Sequence, residues 1–218
     1  MVPTLSTHVK SKLGRIVQTG GANFSYMIFD TQGRRKYLTP KEREHFIRAS
    51  STLSPEQEAF CLMLAFSGCR ISEALQFSAD RIDFETRAVV IRCLKKRREE
   101  PIYRAVPFPD WVLVKLKRHS RRMAPAERLW LWSRGKGWLI IKRVMASVQL
   151  SGTHACPKGL RHGFGVAAVQ SGIPLNLLQR WLGHEKLETT AIYANAIGAE
   201  ERKIARRMWR GTEPREAA

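Results

Sequence analysis

The sequence predicts an α+β fold, predominantly helical with a small antiparallel β-sheet, on three observations. Two N-capping signatures, Thr39-Pro40-Lys41-Glu42 and Ser54-Pro55-Glu56-Gln57, each place a cap, a proline at the first helical position and an acidic or amide residue at the third. A helical apolar repeat, interrupted by glycines, runs from Lys158 past Leu182. Between these regions one β-branched stretch, Ala88 to Leu94, and its return, Ile102 to Pro107, flank a charged turn, the pattern of a single hairpin.

Composition narrows the partners. The 38 Lys and Arg against 19 Asp and Glu leave a formal charge of +19, whose field favours a polyanion. Nucleic acid is the first reading, although a ribosomal-type protein or a membrane-surface binder has the same balance. With 218 residues and 44% apolar content, the chain supports one substantial domain, or one domain plus an arm. The longest apolar run, Ala59 to Phe66, is too short to span a bilayer, and Met1 to Lys12 lacks the apolar segment of a signal peptide. Cys61, Cys69, Cys93 and Cys156 show no paired spacing and read as free thiols of a reducing cytoplasm. His154, Cys156, His162 and His184 lack zinc-ligand spacing, so no metal is expected.

In chain order, residues 1–36 read as a basic N-terminal arm or linker with a strand-like patch from Phe24 to Phe29. Helices start near Pro40 and Pro55, and the second is apolar around most of its girth through Phe60, Leu62, Leu64 and Phe66, ending at Gly68. Arg70-Ile-Ser-Glu73-Ala-Leu75 opens a further short helix. A guanidinium among its N–H groups suits a phosphate, whereas an i,i+3 pair of Arg70 with Glu73 on a solvated face is the plainer reading. The hairpin tip is Lys95-Lys-Arg-Arg-Glu-Glu-Pro101, ordinarily a solvated charge run. Asp110 to about Arg118 forms an amphipathic helix and Leu139 to Leu150 another; Trp130, Trp132 and Trp138 sit among leucines, the setting of core rather than base-stacking tryptophans. Ile197 to Trp209 gives a basic amphipathic helix, and 211–218 a tail.

The groups that carry chemistry gather late. A helix containing Phe164, Val166, Ala167 and Ala168 stops at Ser171-Gly172 and restarts at Pro174 with Leu175, Leu178, Trp181 and Leu182. Lys158 and Arg161 mark one junction, His184 the next, and Tyr193 follows. A cation pair, an imidazole and a phenol are the groups needed to attack a phosphodiester. Taken singly, each has a bland explanation: a core tyrosine, a satisfied interior histidine, a salt-bridge arginine.

Their joint order resembles the tyrosine recombinases of the phage integrase family. Lys158-Gly-Leu-Arg161 matches a box of His or Lys-x-x-Arg, departing from the commoner histidine. Leu182-Gly183-His184 matches the second element, and Tyr193 stands nine residues past that histidine, as the nucleophile does. Ser67-Gly-Cys-Arg70-Ile-Ser-Glu73 resembles the first arginine box, and Arg104-Ala-Val-Pro107 the strand that follows the catalytic lysine. The resemblance covers about Tyr37 to Asn195, more loosely to Trp209, and implies a DNA breaking-rejoining catalytic fold over residues 37–210.

By resemblance, Arg70 and Arg161 stabilise the charged transition state, with Glu73 as a buttress. Tyr193 is the nucleophile, His184 donates to a non-bridging oxygen, and Lys158 contacts the phosphate or helps the phenol lose its proton. Lys95 is the proton donor to the leaving 5′ oxygen, with Lys96 its rival; Lys96, Arg97, Arg98 and His162 are expected to contact DNA. No metal or cofactor is implied. The expected activity is site-specific recombination of integrase or invertase type through a 3′-phosphotyrosine. The alternatives are a non-cleaving DNA-binding regulator on the same fold and a type IB topoisomerase-like enzyme. Implied partners are double-stranded DNA at specific sites, a homotetramer docked through the C-terminal helix (which could equally pack on its own domain), and DNA-bending accessory proteins, with no membrane. The expected location is cytoplasmic and nucleoid-associated. Nothing before residue 37 matches the separate core-binding domain common in the family, which reads as a short member or a truncated gene.

Overall fold

The computed structural model describes residues 28–94, 100–195 and 205–206. Helix α1 (Pro40–Ser50) starts where its capping box predicts: Thr39 Oγ1 accepts from the Glu42 N–H, and the Glu42 carboxylate accepts from the Thr39 N–H at 2.8 Å. Helix α2 (Pro55–Ser67) also starts at its proline, but Ser54 makes no side-chain cap bond. Burial rather than capping holds α2, with every residue from Ala59 to Ala65 inside the core. Gly68 closes it in the left-handed conformation (φ 57°), which a side chain rarely adopts. The turn directs the chain into the short α3 (Ile71–Ala74) with Arg70 at its head.

The hairpin is β2 (Ala88–Arg92) paired antiparallel with β3 (Tyr103–Pro107), in the register Arg92 opposite Tyr103 and Ala88 opposite Pro107. A two-residue strand, β1 (Ile82–Asp83), adds to the free side of β2. Its three-strand sheet was not legible in the sequence because two residues carry no alternation. Helices α4 (Asp110–Ser120) and α5 (Arg134–Ser147) follow. The latter begins five residues earlier than its apolar pattern suggests, because Ser133 accepts from the Lys136 N–H and caps it. Then come α6 (Pro157–Gln170), α7 (Leu175–Leu182) and the single turn α8 (Glu188–Ala191), which runs into a 3₁₀ turn over Ile192–Asn195.

Two apolar clusters result. The larger joins α1 to α5 with the sheet around Phe46, Phe60, Ile91, Trp130 and Ile141. Trp130 is fully buried and donates its indole N–H to the Glu56 carbonyl, as expected of a core tryptophan. The smaller cluster gathers Ile28, Tyr37, Val166, Leu178, Leu182 and Tyr193 on the far side of α6. Helix α6 lies between the two and presents Arg161 and His162 where they meet. Among the described residues no helix is long and apolar enough to cross a membrane.

Candidate active site

Helix ends build the site. The last carbonyls of α2 and α7 have no partner within their own helices and carry the negative end of each dipole. Arg161, reaching across from α6, donates through Nη1 to the Gly68 carbonyl at 2.6 Å and through Nη2 to the Leu182 carbonyl at 2.9 Å. One buried guanidinium therefore ties the end of α2 to the end of α7. Burial, and then the neighbouring Arg70, lower its pKa to about 10, which leaves it charged at neutral pH.

Arg70 follows the left-handed turn at Gly68. Of the readings made from its sequence, the i,i+3 pair is present: Glu73 Oε1 accepts from Arg70 Nη1 at 2.9 Å and Oε2 from the Arg70 N–H at 2.9 Å. Glu73 is not on a solvated face, however; its side chain is fully buried. Burial pushes its pKa up, but Arg104 and Arg70 outweigh burial and hold the carboxyl below its usual range. Arg70 keeps about a third of its side chain open and borders a cavity of about 420 Å³.

The same cavity is lined by Lys158, Arg161, His162, His184 and Tyr193, with Arg134 and Trp138 of α5 on its wall. Lys158 stands in the first turn of α6, behind Pro157. Gly183 ends α7 in the left-handed conformation (φ 66°) and turns His184 back into the cavity, where its Nδ1 lies 2.9 Å from Thr190 Oγ1. The His184 ring lies nearly parallel to that of Tyr193, at 11° and 6.4 Å between centroids. Burial and the surrounding arginines lower the His184 pKa to about 3, so its imidazole is neutral.

Tyr193 is only 1% exposed. Its hydroxyl lies 3.2 Å from His162 Nδ1, and its ring presses on Gly165, where an added Cβ would stand 2.6 Å from the ring. Burial raises the phenol's pKa against the pull of Arg161 and Arg70. In this arrangement the phenol is neutral. His162 is neutral too, its pKa brought to about 3 by burial and then by Lys158 and Arg161, and its Nε2 has no hydrogen-bond partner.

The residues singled out in the sequence therefore converge, apart from Lys95, Lys96, Arg97 and Arg98, which lie outside the described residues, as does the helix expected over Ile197 to Trp209 except for Ala205 and Arg206. His162 was expected on DNA; the contact it makes here is with the phenol. Arg104 and the two α5 residues were not singled out as site residues. Arg104 left a signal: in β3 the inward positions are Arg104 and Val106, and a charge on the inward face of a strand needs a buried partner. Arg134 and Trp138 left none beyond their types.

Residues 36–199 match the model of the phage integrase family. The chain belongs to the phage integrase family. Among curated members, the tyrosine recombinase XerA of Thermococcus kodakarensis is 24% identical over 212 residues, 88% of this chain and 73% of that protein. XerA of Pyrococcus furiosus is 26% identical over 182 residues, 79% of this chain but 61% of that protein. The crystal structure of a XerA recombinase superposes with a TM-score of 0.64 at 20% identity, covering 82% of this chain and 65% of that one. A XerH site-specific recombinase in a post-cleavage complex with palindromic difH gives 0.66 at 20% identity, over 86% and 64%. The phage integrase fold is thus shared, and the chain spans under two thirds of the length of most of these relatives.

Proposed function

We propose that the chain is the catalytic part of a site-specific DNA recombinase of integrase or invertase type, cleaving and rejoining DNA through a 3′-phosphotyrosine at Tyr193. The observation that carries this reading is that a phenol and two arginines, far apart in sequence, border one cavity. The phenolate oxygen attacks phosphorus, the P–O5′ bond breaks, and the 5′ oxygen leaves with a proton. Arg70 and Arg161 stabilise the charge on the non-bridging oxygens in the crowded transition state, where fixed guanidiniums act without losing a proton. If His184 Nδ1 accepts the Thr190 hydroxyl, its Nε2 carries the ring proton and donates to one of those oxygens. Lys158 contacts the phosphate or helps the phenol ionise. The hairpin lysine, Lys95 or Lys96, supplies the proton to the 5′ oxygen. Glu73 holds Arg70. Lys96, Arg97, Arg98 and His162 contact DNA, His162 once the phenol has left it. The cationic side chains supply the charge compensation, so the step needs no metal.

The phosphotyrosine conserves the energy of the broken bond, so a 5′ hydroxyl from a second duplex reverses the step and exchanges strands. Each protomer cuts one strand, which calls for four protomers on two sites. The partners are then double-stranded DNA at specific sites and, where a site requires it, a DNA-bending protein, on the nucleoid in the cytoplasm. Because Tyr193 is buried and neutral, DNA or a neighbouring protomer has to draw the 3₁₀ turn that carries it outward before attack.

A nicked suicide duplex, which loses its 5′ fragment on cleavage, tests the reading. A covalent adduct that disappears in Tyr193→Phe is expected. Specific binding without adduct would mean a regulator, and relaxation of any supercoiled plasmid without a preferred site would mean a topoisomerase.

A further inference from the structure

Arg104 does not border the cavity, yet its side chain is only 3% exposed and its guanidinium touches three segments that carry site residues. Nη2 donates to Glu73 Oε2 at 2.6 Å, Nε to the Trp181 carbonyl at 2.7 Å, and Nη1 to Cys93 Sγ at 3.1 Å. Glu73 in turn grips the backbone and the guanidinium of Arg70. Trp181 is the last residue but one of α7, two residues before the glycine turn that aims His184. That turn is tight against Arg104: a Cβ on Gly183 would stand 3.0 Å from its Nη1. Cys93 is the last described position but one before the hairpin tip.

We propose that Arg104 is a positioning residue, setting the spacing between Arg70 and His184 across the phosphate. This rests on the recombinase reading above. The geometry needs arginine rather than a cation in general. Three donors in one rigid plane meet a carboxylate, a helix-end carbonyl and a thiol at once, which lysine's single ammonium cannot do from one position. Arg104 acts only through other residues, by the Glu73 side chain and the backbone at the end of α7, so its loss moves the phosphate-binding groups and leaves the leaving group untouched.

The test uses the full chain and two forms of the nicked suicide duplex: one with the ordinary 5′ oxygen at the scissile position, one with sulfur bridging there, which departs without a proton. Arg104→Lys keeps the charge beside Glu73, and Glu73→Gln keeps an acceptor of the same shape, so the comparison does not depend on one variant folding. Each is checked by circular dichroism at the assay temperature, and duplex affinity is measured separately from the single-turnover cleavage rate at saturating protein. The expected result is affinity within about threefold of wild type, cleavage slowed about 10- to 100-fold, and the same slowing on both duplexes. The double variant should be slowed by much less than the product of the two single effects, because both act on one linkage. Wild-type cleavage rates in both variants would overturn the proposal. So would loss of affinity in step with cleavage, the mark of general misfolding, or full recovery on the sulfur duplex, which would put Arg104 behind the proton donor. A wild-type chain that forms no adduct would overturn the recombinase reading and this one with it.

Discussion

The two sides of the cavity are built differently. On the cation side, buried Arg161 bonds two helix-end carbonyls and Arg104, buried behind the cavity lining, bonds one, from segments 21 to 93 residues away in sequence. On the phenol side, Tyr193 rides on single helical turns, held by one neutral hydrogen bond to His162 and by apolar packing. Under the proposed function, the charges that meet the phosphate are fixed by interactions costly to break. The phenol that this reading makes the nucleophile is seated on elements too short to be stable alone. In that reading, fixed electrostatics and a loosely seated nucleophile are supplied by different elements around one cavity.

Substitutions on the two walls should separate accordingly, beginning on the cation side. Glu73→Ala leaves Arg104 buried without its carboxylate and should cost about 3–5 kcal/mol in urea unfolding, the range for breaking one partner of a buried pair. A loss below about 1 kcal/mol would mean that water reaches Arg104 and that this wall is not rigid.

Acid should act next. His162 and His184 have folded pKa values of about 3, below the usual 6.5, so the unfolded chain binds the extra protons. Stability is therefore complete above about pH 6.5 and falls as pH drops toward about 3, by about 1.4 kcal/mol per pH unit for each ring. From pH 7 to 5.5 the two together should remove about 2–3 kcal/mol, and His162→Gln should remove about half of that dependence. An unchanged pH slope in the variant would show that His162 is hydrated.

Gly165→Ala places a methyl against the Tyr193 ring and should cost about 1–3 kcal/mol, with the ring displaced and its fluorescence more readily quenched. The smallest change is expected for Tyr193→Phe, which removes one neutral hydrogen bond and should cost about 0.5–1.5 kcal/mol in thermal unfolding while abolishing covalent chemistry. A larger loss would place Tyr193 with the structural wall.

How much of this could be read in the chain follows the range of the interactions. Thr39 and Glu42, three residues apart, announce a helix start because both partners lie within one turn, and Gly68 announces a helix end because only local backbone geometry is at stake. Arg70, Arg161, His184 and Tyr193 were singled out by an ordered spacing that resembles the family's motifs, and they line one cavity. The contact of His162 with Tyr193 and the three bonds of Arg104 were not legible, since they join residues between 11 and 77 positions apart and leave no period. Ser54 shows the converse: a sequence signal for capping is present, but burial of α2 makes the bond unnecessary.

Digestion of the trapped protein–DNA adduct, followed by mass spectrometry, reads the central claim at the atom that matters. The account predicts a 3′-phosphonucleotide on the peptide containing Tyr193 and on no other. A nucleotide carried by any other side chain, or an adduct that persists in Tyr193→Phe, would contradict it.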